Sequence, residues 1–378
     1  MLFIVGISIA IFLSLLLLIK KNKSRADKIL VLWLILISIN QIFNYLNFKE
    51  VTYKYPNWLG IDFGIPIIIG VFLYFYVREI TGNPLNRIPK IVLHLLPTIF
   101  IYLLAIPFYK LQGTEKVYIF KNNGLGYEWF VIINNWVIAI SGLAYSIWSI
   151  ILIKKHQKSI QDNFSNTDKK ELQWLRLLSF GFVIIWLFSA FFDNDIIFSI
   201  VVVFVLCIAI FGINQLNIFN SNSGLEGIKI AEERTNNINN KGKIDSKQPI
   251  AKVGKYAKSG LNEADATKIY ANLTRMMQDN VAYKDENLTL VELSKRLEVH
   301  PNHLSQVINE KEGKNFYNYV NSLRIKEFIK LASLPENKKY TMISLAYDCG
   351  FSTKSTFNKH FKLHTGKTPT EFFSNSSI

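Results

Sequence analysis

The chain has 378 residues, enough for two or three domains, and 50% of them are hydrophobic and 14% aromatic. Its formal net charge is nevertheless +15. It has two cysteines, Cys207 and Cys349, and no CxxC spacing, which argues against a disulfide-stabilised scaffold and against a cysteine-ligated metal or redox site.

The two halves of the chain are both basic. Residues 1–219 carry 19 Lys and Arg against 11 Asp and Glu, a net charge of +8. Residues 220–378 carry 24 against 17, a net charge of +7. Because the first half is also strongly apolar, the two excesses of positive charge require different explanations.

Long apolar runs dominate the first half. About 18 consecutive apolar residues are needed for a helix to cross the hydrocarbon core of a bilayer. This criterion predicts a seven-span transmembrane domain over residues 1–219. The predicted spans are 2–19, 29–46, 61–80, 91–109, 129–153, 172–192 and 195–219.

The loops between these runs differ in positive charge. One alternating set carries 13 Lys and Arg, and the other set carries 5. Since basic loops remain in the cytoplasm, the N-terminus is predicted outside and everything after Phe219 in the cytoplasm. The positive charge of the first half is therefore explained by topology. The longest outer loop, 110–127, is predicted to form a small β-hairpin at Asn123-Gly124.

Several polar residues interrupt the predicted spans. Within membranes such groups usually face the interior of the bundle or a cavity. They can form hydrogen bonds between helices or bind a ligand, and the sequence leaves both open. Asn40, Gln41 and Asn44 share one helical face. The candidate ligand-sensing residues are Asn40, Asn44, Asp62, Asn134 and Asn135.

A change of composition follows the last apolar run. Residues 220–254 are rich in Asn, Lys, Gly and Ser, which predicts a flexible cytoplasmic linker. Residues 255–378 are predicted to form a soluble helical domain. Its first helix should begin at an Asn262 N-cap and continue to about Asp279.

Residues 288–310, LTLVELSKRLEVHPNHLSQVINE, have the pattern of a helix-turn-helix unit. Thr289 is the predicted cap of the first helix, and Pro301 the first residue of the second. One face of the second helix is polar, and its amide and hydroxyl groups suit base edges in a major groove. The predicted DNA-binding residues on this face are Asn302, Ser305, Gln306 and Asn309.

Residues 341–365 repeat this plan. Thr341 is the predicted cap and Gly350-Phe351 the turn. A second helix is predicted to begin near Ser352 or Thr353, with Phe357 and Phe361 inward. Between 338 and 367 there are six Lys and one acid, which favours binding to a phosphate backbone. The predicted DNA-binding residues here are Lys354, Ser355, Asn358, Lys359 and Lys362.

One amphipathic helix over 315–334 is predicted to connect the two units. A connector of this kind would hold two recognition helices apart, so that one chain could read two successive major grooves.

Residues 270–374 resemble the AraC/XylS transcription regulators. The resemblance is carried by LxxLSxxLxVxxxHLSQVIN, GKNFYNYVNSLRI and ISLAYDCGFSTKSTFNKHFKLHTGKTPTEF, and the order of spans, linker and domain is similar to a membrane-bound subgroup. The resemblance implies base-reading positions at Asn302, Ser305 and Gln306 in the first unit. In the second unit it implies Lys354, Ser355 and Lys359.

The sequence departs from the family pattern at four positions. His300 stands where a Ser cap is common, and Glu298 replaces a frequent turn glycine. Phe328 occupies a position usually held by a small residue, and Phe373 one where a terminal Arg is common. The first two departures put the geometry of the first turn in doubt.

The sequence contains no P-loop, nucleophile elbow or kinase signature, so neither an enzymatic activity nor a cofactor is expected. The resemblance implies an all-α membrane-bound transcription regulator. Its expected setting is the bacterial cytoplasmic membrane, with the DNA-binding domain in the cytoplasm. The partners it implies are double-stranded DNA, RNA polymerase, the lipid bilayer, a second copy in a homodimer, and a small-molecule or envelope signal. The alternatives are a receptor or transporter whose basic tail docks a protein partner, and a regulator whose spans are only a passive tether.

Overall fold

The computed structural model describes residues 2–168, 172–188, 200–207 and 261–374. Apart from one isolated β-bridge, the regular secondary structure of these residues is helical, as predicted. The chain divides into two compact units. The first consists of Met1–His156 and Leu172–Asn220, and the second of Gln157–Glu171 and Ser221–Ile378.

The first unit is built from long apolar helices. Residues 200–207 are also helical, and α7 ends within the segment that belongs to the second unit. The helices are α1 Leu2–Ile19, α2 Arg25–Phe48, α3 Ile65–Ile80, α4 Ile88–Leu104, α5 Ile106–Tyr109, α6 Gly113–Lys121, α7 Glu128–Asn163 and α8 Gln173–Phe188.

The core of this unit surrounds Trp33, whose side chain is fully buried. The aromatic rings of Tyr76, Phe182 and Phe204 lie 6.1 to 6.4 Å from it. The helix that carries Trp33 begins with a capping box formed by Ser24 and Asp27.

Within the described residues, two helices are long and apolar enough to cross a membrane, Arg25–Phe48 and Glu128–Asn163. Shorter apolar helical segments in this part of the chain are Ile4–Ile19 within α1, Ile88–Leu104, and Gln173–Leu187 within α8. Two such helices do not by themselves distinguish a membrane protein from a soluble one. The prediction of seven spans is thus supported only in part, and most of the predicted span 195–219 lies outside the described residues.

The predicted β-hairpin in the outer loop is wrong. Residues Gly113–Lys121 form a helix, and its start is stabilised by a capping box. The backbone N–H of Gln112 donates to Glu115 Oε2 over 3.1 Å. Asn123 and Gly124, with φ of 53° and 86°, end this helix and do not connect strands.

The second unit contains two helix-turn-helix units joined by a helix. We call Pro301–Glu312 the first recognition helix, Lys354–Thr365 the second recognition helix, and Phe316–Ala332 the connecting helix. The predicted linker 220–254 lies outside the described residues. The helices are Glu263–Asp279, Leu290–Arg296, Pro301–Glu312, Phe316–Ala332, Met342–Asp348, Lys354–Thr365 and Pro369–Ser374.

The connecting helix belongs to the hydrophobic cores of both helix-turn-helix units. Val320 packs in the core of the first and Phe328 in that of the second. The ring of Phe328 lies 4.6 Å from that of Phe357 and 5.7 Å from that of Phe361. The large side chain at position 328 is therefore a central part of the second core, although the family pattern has a small residue there.

Candidate functional site

The first recognition helix begins where the sequence predicts. Pro301 is its first residue, and His300 acts as the N-cap, with Nδ1 accepting a hydrogen bond from the Asn302 N–H over 3.2 Å. His300 therefore caps this helix in place of the serine that is common at this position. Leu304 and Val307 are fully buried on the inner side of this helix.

The predicted polar face of this helix is turned away from the core. Asn302 and Asn309 are exposed, and Ser305 and Gln306 are partly exposed. Two of these side chains bond within the helix itself. Gln306 Nε2 donates to Glu310 Oε1 over 3.1 Å, and Asn309 Nδ2 donates to the Ser305 carbonyl over 2.8 Å. To contact a base edge, these two amides would exchange an internal bond for one to DNA.

The turn before this helix adopts an unusual backbone conformation. Glu298, at the position where glycine is frequent, has φ of +57°, in the left-handed region. The first turn therefore keeps the glycine-type geometry even though a glutamate stands there, at a cost in backbone strain.

The second recognition helix is capped by Thr353, whose Oγ1 accepts a hydrogen bond from the Thr356 N–H over 3.3 Å. Its inner side buries Phe357 and Phe361. The five predicted DNA-binding residues are all exposed: Lys354, Ser355, Asn358, Lys359 and Lys362.

One of these lysines has a defined neighbour. Lys359 Nζ lies 5.5 Å from the ring centroid of Tyr317, a cation–π contact. This contact holds the amine beside the connecting helix without removing its charge.

A buried arginine that sequence reasoning missed joins the parts of the second unit. Arg324 is 1% exposed and donates five hydrogen bonds. Nε donates to the Tyr283 carbonyl over 2.7 Å, and Nη2 to the Asp285 carbonyl over 2.7 Å. The remaining three go to Asn321 Oδ1 and to the carbonyl and hydroxyl of Ser165. The family-like SLRI segment marks this residue, but its remote partners are not encoded in any local pattern.

Burial changes the pKa of groups in this unit. Desolvation lowers the pKa of the Arg324 guanidinium to about 10, so it remains charged at neutral pH. The pKa of His300 is lowered mainly by desolvation and to a smaller extent by the charge of the nearby His303. Burial also lowers the pKa of His364, with further lowering by Lys314 and Lys326.

The five candidate ligand-sensing residues come together in the first unit. All line one cavity of about 640 Å³. Gln41 lines it as well, together with aromatic and aliphatic side chains such as Phe63, Trp136 and Phe182. The sequence predicted these residues separately, and the structure brings them to one site. They are Asn40, Asn44, Asp62, Asn134 and Asn135.

Hydrogen bonds within the protein satisfy only some of the polar side-chain atoms that line this cavity. Asn44 Nδ2 donates to Asn40 Oδ1 over 3.2 Å. Gln41 Oε1 and Asn134 Oδ1 are buried, and within the described residues neither accepts a hydrogen bond. Because a buried polar atom without a partner is costly, these two acceptors suit a ligand or water that donates hydrogen bonds.

Among the described residues, no group of three or more His, Cys, Asp or Glu side chains could hold a metal ion. No curated protein and no solved structure shows significant similarity to the chain. Residues 293–375 match the family model described as a helix-turn-helix domain. The matched segment contains both recognition helices and supports a DNA-binding transcription regulator with an AraC-type domain.

Proposed function

We propose that the protein is a membrane-anchored, sequence-specific transcription regulator in which the first unit receives a signal and the second unit binds promoter DNA. The observation that carries the proposal is the construction of the two recognition helices. Each buries an apolar face in its own core and exposes a polar or basic face, and a single connecting helix belongs to both cores.

The two recognition helices suit different parts of DNA recognition. Asn302 and Gln306 carry amides of the kind that pair with adenine in a major groove. Lys354, Lys359 and Lys362 carry charges that suit phosphates or guanine. The first helix thus supplies mainly base readout, and the second adds most of the electrostatic attraction.

The surface of the first unit supports an anchor in the membrane. Of the large hydrophobic side chains exposed in the described residues, 36 belong to the first unit and 5 to the second. In water such an apolar surface would be unfavourable, whereas lipid covers it without cost. The proposed location is the bacterial cytoplasmic membrane, with the second unit in the cytoplasm.

The cavity of the first unit is the proposed site of signal reception. An apolar wall with a few convergent polar groups is typical of small-molecule sites. Asp62 and the unpartnered amide oxygens favour a ligand that combines an apolar body with hydrogen-bond donors. RNA polymerase and a second copy of the chain are further proposed partners at the promoter.

The first experiment is genome-wide DNA crosslinking of the full-length protein, compared with a Lys354→Ala/Lys359→Ala variant. A matched control, Lys268→Ala/Arg275→Ala, removes the same charge from exposed residues of the helix Glu263–Asp279, outside the basic segment 338–367. Sharp peaks in the wild type and the control, lost in the first variant, are expected.

Purified protein gives a second readout. If both lysines contact phosphates, the slope of log affinity against log salt should decrease by about 1.8, since each contact contributes about 0.9. If the full-length protein gives no sequence-specific peaks, and the lysine variant binds DNA as the wild type does, the basic surface docks a protein instead and the proposal is wrong.

A further inference from the structure

A short segment between α7 and α8 packs against both helix-turn-helix units. We call residues Phe164–Asp168 the strap. Phe164, Ser165 and Thr167 are at most 5% exposed, so this is a buried contact and not a surface loop. Like the helices it touches, the strap belongs to the second unit.

At its first end the strap is held by backbone and by Arg324. Phe164 forms an antiparallel bridge with Thr289, the N-cap of the first helix-turn-helix unit. The Ser165 N–H donates to the Leu288 carbonyl over 3.1 Å. The Ser165 carbonyl accepts from Asn321 Nδ2 over 3.0 Å.

At its other end the strap places a carboxylate at the start of the second recognition helix. Asp168 accepts three hydrogen bonds from hydroxyl groups. Ser352 Oγ donates to Oδ2 over 2.7 Å, Thr353 Oγ1 to Oδ2 over 2.9 Å, and Thr356 Oγ1 to Oδ1 over 2.8 Å. Thr353 is the N-cap of this helix, so the negative charge lies at the helix N-terminus.

A DNA phosphate would favour the same position. Helix N-termini attract anions through their partial positive charge and their free N–H groups, and hydroxyl side chains there commonly contact the DNA backbone. Recognition helices also approach bases with their N-terminal residues. A carboxylate fixed beside Ser352 and Thr353 therefore occupies hydroxyl donors that DNA could use, and it repels an approaching phosphate.

We propose that the strap is an autoinhibitory contact: Asp168 blocks the N-terminus of the second recognition helix, and promoter binding requires the strap to leave it. The inference rests on the proposed DNA-binding function. It adds a route for the signal that does not pass through the linker 220–254. The strap follows α7 and precedes α8 in the chain, and both helices contribute side chains to the cavity wall, among them Asn134 and Phe182.

The test uses full-length protein in lipid nanodiscs and a random-sequence 40-base-pair duplex, because the competition with phosphate does not depend on base sequence. Asp168→Ala removes the carboxylate, and Asp348→Ala removes an exposed acid of the same unit as a matched control. Thr356→Val removes one of the three hydrogen bonds to Asp168 by changing the donor on the recognition helix. It changes a side chain that is 8% exposed and thus not placed to contact DNA.

Asp168→Ala is expected to bind the duplex about tenfold more tightly than the wild type, because the competent population rises when the strap is released. Thr356→Val should move in the same direction by a smaller factor. Asp348→Ala should change affinity by no more than about twofold, the effect of one exposed charge. If Asp168→Ala binds no more tightly than the control, or binds more weakly, Asp168 only caps the helix and the inference is wrong.

Hydrogen exchange of the wild type gives a second, mutation-free test. The Ser165 N–H is protected by its bond to Leu288. Adding the duplex should accelerate exchange at Ser165 if DNA displaces the strap, whereas unchanged or slower exchange would overturn the inference. Tight binding that is lost in Lys354→Ala/Lys359→Ala, with no response of the strap, would refute the autoinhibitory contact alone. Binding that is indifferent to those lysines would refute the proposed function as well.

Discussion

Replacing Glu298 with glycine is expected to stabilise the first helix-turn-helix unit. Glu298 is exposed and has φ of +57° in the turn before the first recognition helix. A non-glycine residue in the left-handed region costs about 1–2 kcal/mol. Glycine loses about 0.5–1 kcal/mol through the greater freedom of the unfolded chain. The net gain should therefore be roughly 0.5–1 kcal/mol.

Hydrogen exchange of the first recognition helix measures this gain in the full-length protein. Amides around the buried residues Leu304 and Val307 should exchange about two- to fivefold more slowly in Glu298→Gly, the factor that corresponds to this gain. Glu298→Ala is the matched control, because it removes the same side chain but keeps the strained conformation. If both variants change exchange equally, backbone strain at this turn is not the cause.

Three further predictions concern the second unit. Arg324→Met should cost about 3–5 kcal/mol, because it leaves buried acceptors without donors. Gly350→Ala should cost about 2–4 kcal/mol, since its φ is +94° and a Cβ would lie 2.7 Å from the Lys284 carbonyl oxygen. Both losses should appear as faster labelling of the buried Cys349 thiol, and unchanged labelling would contradict them. In the folded chain the pKa of His300 is lowered below 6.5, the ordinary value that it regains on unfolding. When the pH falls below 6.5, the unfolded chain therefore binds a proton at His300 more readily than the folded chain does. The stabilising contribution of His300 is therefore present above pH 6.5 and lost as the pH falls, and exchange protection of the first recognition helix should show this loss in the wild type but not in His300→Asn.

Local sequence patterns predicted the second unit well. Asn262, Thr289 and Thr341 cap helices as expected, because capping depends on residues only two or three positions apart. The exposed faces of the recognition helices follow in the same way from helical periodicity. Their contacts with DNA stay a prediction.

Contacts between remote residues were not predictable. Ser165 and Asn321 are separated by 156 positions, and a polar strap has no periodic pattern that would indicate burial. In the outer loop, by contrast, a local pattern is present but predicts the wrong structure. Asn123-Gly124 predicts a hairpin turn, but the capping pair Gln112 and Glu115 begins a helix before it. The convergence of the cavity residues likewise depends on how helices pack, which the polar positions alone do not determine.

The length of α7 has a mechanical consequence. Its 36 residues extend about 54 Å without a break, well beyond the roughly 30 Å of a hydrocarbon core. Asn134 near its start lines the cavity, and Asn163 at its end directly precedes the strap. If the helix rotates about its axis as one body, both ends rotate together. The angle between Asn134 and Asn163 around that axis is set by the number of residues between them. One inserted residue would turn Asn163 by about 100°, whereas seven would leave it within about 20° of its native direction. The direction in which Asn163 faces therefore depends on the number of residues in α7 as well as on their side chains.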